Sequence, residues 1–406
     1  MTASASVAAQ VEVAATYMRG GTSKGVFFDA RQLPAALLAD LAARDRFLLR
    51  VVGSPDRYGK HIDGMGGATS STSKVVLVDR SERPGCDVDY LFGAVAIEAP
   101  VIDWSGNCGN LSAAVGPFAI AQGLVGAPRD GIALVRIWQA NIGKRIVAHV
   151  PMQAGHVVES GDFELDGVAF PGAGIRLDFP DPAGGEGNVG DAIGGLFPTG
   201  RLREVMDVPG FAPIEVTLLN AGNPTVFVAA ADLGLGGTEA QRDIDDDAAL
   251  REKLERFRAH AAVRMGLART PEEATALRPA TPKLLWVAPP APYDAAGGKH
   301  IARGDIDLVA RIVSMGKLHH AMTGTGAVAL AVAASIPQTV VSRIAPAGVD
   351  GRLRFGHASG VLEVGADARQ QSDGTWRIDK VSMTRSARRL MVGKVCVPAG
   401  FAGELS

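Results

Sequence analysis

Two stretches of this chain are apolar on every side, and the other elements arrange themselves around them. Leu111 to Ala121 has no charged residue to mark a wet face, and neither does Ala327 to Ala334. A helix that is hydrophobic all round is a buried helix, so each stretch predicts a central core helix. A polar, glycine-punctuated segment precedes each one: Trp104-Ser-Gly-Asn-Cys-Gly-Asn110 before the first and His319-His-Ala-Met-Thr-Gly-Thr-Gly326 before the second. The two designs lie roughly two hundred residues apart, about one domain length each. This spacing predicts a duplicated architecture in which two helix N-termini face one cleft, a place suited to anions.

Alternating or β-rich runs predict strands at Val11–Tyr17, Val26–Phe28, Val75–Val78, Val88–Ala99 and Ile132–Val150. Further strands are expected at Ile214–Leu219, Val226–Ala230, Lys283–Ala288, Leu353–Gly356, Gly360–Ala366, Trp376–Met383 and Leu390–Val397, with a hairpin over Phe163–Phe179. Helical spacing predicts helices over Pro34–Leu49, Thr238–Met265 and Asp305–Ser314. The Gly-, Asp- and Ala-rich stretch Pro180–Gly195 is the best linker. The fold class is therefore α/β (α+β).

The polar segments carry the candidate chemistry. Asn110 or Gly109 would cap the first core helix, placing Cys108 where free N–H groups stabilise a thiolate or a bound carboxylate. Arg19 to Gly25 reads as a hairpin-like loop whose Arg19, Thr22, Ser23 and Lys24 supply donors for carboxylate or phosphate. Its glycines, lysine and hydroxyls are in the wrong order for a phosphate-binding P-loop. Asp63 to Lys74 is a run of small residues that could be a plain solvated loop. Lys74 argues for more, because it stands at the mouth of an apolar strand, where burial would lower its pKa and make a usable base. Asn220 to Pro224 is another polar turn of the ligand-lining kind. His319 and His320 lack a third metal ligand at sensible spacing. The Gly324-x-Gly326-x-x-Ala329 pattern lacks the strand and the acidic residue of a dinucleotide site.

Composition narrows the class. The 406 residues are 47% hydrophobic and 21% charged, with a net charge of −2, as in a soluble two-domain globular chain. There is no basic excess for nucleic acid and no apolar run of the ~20 residues that a membrane span needs. Cys86, Cys108 and Cys396 are odd in number and lack metal-type spacing, which favours reduced thiols in a cytoplasm. The first eleven residues have no signal-peptide pattern.

Several of these motifs together resemble the signatures of the PrpF family. They are Met18-Arg-Gly-Gly-Thr-Ser-Lys-Gly25, Asp63-Gly-Met-Gly-Gly67, Thr69-Ser-Ser-Thr-Ser-Lys74 and Asp103-Trp-Ser-Gly-Asn-Cys-Gly-Asn110. Arg136-Ile-Trp-Gln-Ala-Asn-Ile-Gly143 and Ser314-Met-Gly-Lys-Leu-His-His-Ala321 extend the likeness nearly end to end. The resemblance implies a diaminopimelate epimerase-like fold, with two similar domains that each wrap a curved sheet around a central helix. Their expected extents are residues 1–190, joined by a returning strand at about 386–400, and residues 191–385.

The resemblance also implies a cofactor-independent, metal-free isomerase of unsaturated tricarboxylates. Within the family the chain resembles 2-methylaconitate isomerases of the methylcitrate route for propionate, with 4-oxalomesaconate tautomerases and 3-methylitaconate isomerases as relatives. A non-catalytic accessory role beside an aconitase-like 2-methylcitrate dehydratase is the alternative of another class, and homo-oligomerisation is open. In the epimerases a cysteine stands at each helix N-terminus. Here Cys108 matches the first, but Thr323 occupies the second, and its hydroxyl cannot replace a thiol base. The expectation is therefore an allylic proton shift with Lys74 as acid–base and Cys108 as helper. Substrate contacts are expected from Arg19, Gly21, Thr22, Ser23, Lys24, Ser70, Ser71, Gly109, Asn110, Met315, Lys317, His320, Gly324 and Thr325.

Overall fold

The computed structural model describes residues 10–184 and 195–398. Its main strands hydrogen-bond in one unbroken order. From one edge they are Ala387–Pro398, Gln10–Gly20, Ser23–Asp29, Lys74–Arg80, Val88–Val95, Gly131–Gln139, Lys144–Gln153 and Ile175–Pro180. The order continues through Trp376–Arg385, Gly360–Gln370, Arg352–His357, Leu308–Ser314, Lys283–Ala288, Asn223–Ala229, Ile214–Ala221 and Glu204–Met206.

The strand senses repeat. Starting from Gln10–Gly20, successive pairs are antiparallel, parallel, antiparallel, parallel, antiparallel and antiparallel. The same six senses recur starting from Ile214–Ala221. Parallel neighbours need a long crossover. In each half the second parallel pair is bridged through a core helix, Ser112–Ala121 in the first and Gly324–Ser335 in the second. Both helices belong to the largest apolar cluster, where Val115, Phe118, Val328, Leu330 and Val332 are essentially sealed from water. Burying each such side chain is worth roughly 1.5–3 kcal/mol. The helices of the first crossover in each half pack outside, over their own smaller clusters.

Several sequence expectations need correction. Asp305–Ser314 is not helical: Leu308–Ser314 is a strand with every residue buried. A short apolar run at a sheet centre has no wet face, so spacing alone cannot tell it from a helix. Arg311 in its middle is buried because its Nε donates to the Glu239 carbonyl at 2.8 Å and its guanidinium lies 5.0 Å over the Tyr293 ring.

Thr238–Met265 is two helices, Gln241–Asp245 and Ala248–Arg264, because the Asp247 side chain accepts from Leu250 N–H and starts a new one. Asp40 divides Pro34–Leu49 in the same way, capping Leu41–Val52 through Ala42 and Ala43 N–H. Phe163–Phe179 is no hairpin: a lone bridge joins Phe163 to Gly172, and Ile175–Pro180 pairs elsewhere. The Arg19–Gly25 loop shrinks to a turn at Gly21 and Thr22, since the flanking strands run up to Gly20 and from Ser23. Of the Pro180–Gly195 linker, 185–194 lie outside the described residues.

Candidate functional site

The two core helices meet N-terminus to N-terminus. Leu111 N–H points at Cys108 Sγ (3.5 Å), and Gly326 N–H donates to Thr323 Oγ1 (3.0 Å). Each side chain lies three residues before the N–H it faces, so Cys108 and Thr323 match in local geometry, Thr323 as the N-cap of its helix and Cys108 in the turn that leads into Ser112–Ala121. The residue that caps the first core helix is Leu111, without a side-chain hydrogen bond, rather than Gly109 or Asn110. The contact is tight enough to require glycine on both sides. A Cβ on Gly109 would stand 2.7 Å from the Gly324 carbonyl carbon, and one on Gly324 would stand 2.5 Å from that of Gly109.

Side chains lock this junction. Asn223 accepts from Asn107 N–H (2.9 Å) and donates to the Asn107 carbonyl (3.0 Å) and to Thr325 Oγ1 (3.0 Å). Asp103 accepts from Ala280 N–H at 2.7 Å, and Ser105 shares a hydroxyl bond with Thr281 at 2.7 Å. The Asn110 amide donates to Thr22 Oγ1 and to the Met322 carbonyl, both at 3.0 Å. Its oxygen accepts from Nε of Arg385, a fully buried guanidinium whose pKa is pulled down to about 10 by desolvation.

A narrow cavity lies beside the junction. Lys74, Cys108, Gly109, Asn110, Ser23, Ser70, Met315 and Thr325 line it, together with Asn107, Phe92, Asn223, Lys283, Ser314, His319 and Thr323. Its volume is about 20 Å³, room for about one water molecule. Lys74, the first residue of its strand, is buried, with its ammonium 5.0 Å from the centre of the Phe92 ring. The Asn107 side-chain oxygen is buried without a hydrogen-bond partner among the described residues. An amide left open at the cavity wall can turn its N–H groups toward an anion.

Two larger pockets flank this cavity. One, of about 330 Å³, adjoins it through Ser23 and receives Arg19, Gly21, Thr22, Lys24, His320 and Arg388. The other, of about 350 Å³, adjoins it through Ser70 and Met315 and receives Lys317 and Arg251. Both carry cations suited to carboxylates.

The expected residues therefore divide into three groups. Lys74, Cys108, Ser23, Ser70, Gly109, Asn110, Met315 and Thr325 converge on the inner cavity. Arg19, Gly21, Thr22, Lys24, His320 and Lys317 line only the flanking pockets. Arg19 also braces the Gly21 turn, donating to the Gly21 and Ser386 carbonyls at 3.1 and 3.0 Å. Gly21 has a φ of +51°, and a Cβ there would strike the Asn110 amide oxygen at 2.5 Å. Ser71 and Gly324 line none of these three spaces. The Ser71 carbonyl holds Lys24 N–H at 2.9 Å, and Gly324 serves the helix contact.

Sequence reasoning passed over Lys283, Asn107, Ser314 and His319. Lys283 opens the Lys283–Ala288 strand as Lys74 opens Lys74–Arg80, and its Nζ donates to Ser314 Oγ at 2.8 Å. The repeated strand order marks it as the counterpart of Lys74. Burial pulls Lys283 down to about 7, with Lys74 adding to the effect and Asp103 and Cys108 opposing it. Burial likewise keeps His319 and His320 below the ordinary imidazole range, reinforced by neighbouring cations. Neutral imidazoles here offer N–H donors without adding charge.

A pH test follows from Lys283. Between about pH 7 and its ordinary 10.5 the unfolded chain holds a proton that the folded chain lacks. This residue's contribution therefore makes stability rise with pH across that window, its cost being full below pH 7. Lys283→Met, which removes the buried amine, is expected to gain most over the parent near pH 7 and to lose that advantage toward pH 10.5. Thermal melts of both proteins across the window check this, and a constant gap would contradict it.

Among the described residues no three His, Cys, Asp or Glu side chains are grouped as a metal ion requires, and no helix is long and apolar enough to cross a membrane. The family model described as PrpF protein matches residues 10–398. A 2-methyl-aconitate isomerase of Shewanella oneidensis is 56% identical over 96% of this chain and 98% of its own length. A 3-methylitaconate isomerase of Eubacterium barkeri is 38% identical over 96% and 98%.

A solved structure of a methylitaconate-delta-isomerase superposes with a TM-score of 0.74 at 37% identity, covering 97% of each chain. That of a probable proline racemase from Agrobacterium radiobacter does so at 0.53 and 12% identity over 94% of this chain and 92% of its own, which speaks for the epimerase-type fold alone. With a family model matched from the first described strand to the last, and relatives similar along their whole length, this chain belongs to the PrpF family.

Proposed function

We propose that this protein is an isomerase of 2-methylaconitate that moves an allylic proton, with Lys74 as the acid–base group. The observation that carries the reading is the inner cavity, where Lys74 and Cys108 face one space while the second helix N-terminus offers Thr323. Two thiols on one carbon, as an epimerase needs, are not available here.

The chemistry follows from the acid. Its methylene proton is α to one carboxylate and allylic to the double bond. The Lys74 side-chain nitrogen takes that proton. The C–H electron pair enters the π system and spreads onto carboxylate oxygens, so donors at those oxygens lower the barrier. Asn107 and the two helix N-termini supply such donors, while the Asn110 side chain is held by Thr22, Met322 and Arg385. Protonation of the delocalised anion then re-forms a double bond with changed position or geometry.

The inner cavity is smaller than a tricarboxylate, so the halves part to admit it. We take these halves as the domains, 1–190 with the strand at about 386–400 and 191–385, and the repeated strand senses among the described residues support that division. A cytoplasmic setting in propionate breakdown, beside an aconitase-like dehydratase that makes the substrate, is what the sequence resemblance implies.

Incubation with 2-methyl-trans-aconitate, 3-methylitaconate and 4-oxalomesaconate, followed by ultraviolet absorbance and proton NMR, tests the assignment. Conversion of the first at least tenfold faster than of the others is expected. Preference for either of the others would reassign the substrate, and inertness toward all would favour an accessory role. Cys108→Ser is expected to lower turnover less than loss of Lys74, because a single thiol serves as a helper. A dead Cys108→Ser beside an active Lys74→Ala would exchange the two roles.

A further inference from the structure

We infer that Lys283 is a second acid–base group of this site, giving a proton to the delocalised anion that Lys74 creates. The inference rests on the proton-transfer reading above and deepens it. Three observations on this chain carry it.

The first is the duplication. Lys74 and Lys283 are the opening residues of strands that occupy the same place in the repeated order, each parallel to the second strand of its half's hairpin. They come from opposite halves, as do Cys108 and Thr323, which face the N–H three residues on before each core helix. The second is convergence: both lysines line the single inner cavity. The third is isolation. Lys283 is buried, and among the described residues it has one side-chain hydrogen-bond partner, the hydroxyl Ser314 Oγ, and no carboxylate within salt-bridge distance. A lysine placed for structure alone at such depth would be expected to meet a carboxylate.

Two amines facing one small space cannot comfortably both be charged, so the pair holds one proton more readily than two. Its fall to about 7 gives Lys283 access to both states near neutrality, the condition in which a general acid–base works best.

The cycle then balances. The forward reaction draws on the form of the pair in which its one proton sits on Lys283 and the Lys74 amine is free. Lys74 takes the substrate proton and becomes an ammonium, while the C–H pair passes into the π system. Lys283 gives one N–H proton to the anion on the product side and becomes a neutral amine. The net charge of the pair is unchanged, and exchange of protons with water resets it. In the reverse direction the roles are swapped, Lys283 being the base.

The test is a crossed exchange experiment in deuterated water, using the whole protein as Lys283→Gln and Lys74→Ala, with circular dichroism as the check of folding. Lys283→Met, of similar length and uncharged, replaces the glutamine variant should that one not fold. Lys283→Gln is expected to lose ~10²–10⁴-fold in conversion while still placing deuterium in the starting acid, since Lys74 removes and returns protons there. Lys74→Ala is expected to do the opposite, labelling only the product acid when that is supplied.

Conversion by Lys283→Gln within tenfold of the parent would overturn the proposal. So would loss of conversion and exchange together with a raised KM, which would make Lys283 a carboxylate-binding cation. Failure of the Lys74 reading shows separately, as a folded Lys74→Ala that still labels the starting acid.

Discussion

Lys74→Ala loses ~10²–10⁴-fold in kcat while its fold and its affinity for the substrate change little. That range is what a positioned proton-transfer group contributes, about 3–5 kcal/mol of barrier. Lys74 is expected to show the full effect because its ammonium faces the inner cavity beside Cys108, and it makes no side-chain hydrogen bond or salt bridge among the described contacts that its removal would break. The stability effect is small for the same reason: truncation removes some packing against Phe92 but also removes a buried amine. Rates followed by ultraviolet absorbance, with melts by circular dichroism, check both halves of the expectation. A folded Lys74→Ala protein turning over near the parent rate would remove the residue from the mechanism.

Gly324→Ala has the second large effect, through geometry rather than chemistry. The added methyl would lie 2.5 Å from the Gly109 carbonyl carbon and 2.6 Å from Asn110 N, both backbone atoms that cannot swing aside. The two helix ends have to separate, and overpacking of this kind costs roughly 1–3 kcal/mol. Asn110, Asn107 and Thr325 all hang from these ends, so the cavity wall moves with them. We expect a lowered Tm and a fall in kcat of at least a hundredfold, since misplacement of about 1 Å can cost that much. Ala321→Gly, at a buried site near the same segment, makes a comparison that loses packing without prying the helices apart. Normal activity in Gly324→Ala would mean that the junction tolerates separation.

The two core helices were legible because an apolar stretch without a wet face has only one place to go. The hydroxyl-rich loop and its lysine were legible because Lys74 adjoins a strand whose apolar pattern is plain. Other features were hidden for identifiable reasons. Leu308–Ser314 is buried on both faces, so it lacks the alternation that marks a strand. Asp247 and Asp40 look like charges on a helix surface until their side chains are seen receiving N–H groups at a helix start. Lys317 stands two residues before the paired histidines, which suggested one site. Its short strand against Ser314 turns it instead into the flanking pocket, leaving His319 as the inner residue. Lys283 sits in an unremarkable Thr-Pro-Lys-Leu context, and only the repeated strand order marks it as the counterpart of Lys74.

The central claim is that the reaction proceeds by moving a proton between carbon and Lys74. It is tested most directly by turnover of 2-methyl-trans-aconitate in deuterated water, read by proton NMR and mass spectrometry. A lysine ammonium carries three rotating, exchangeable protons, so the one abstracted is diluted by deuterium before any return. The account predicts deuterium on carbon in the product and in recovered starting acid, with both conversion and label in the starting acid absent from Lys74→Ala. Isomerisation without carbon-bound deuterium, persisting in Lys74→Ala and abolished in Cys108→Ala, would contradict it and establish rotation after thiol addition instead.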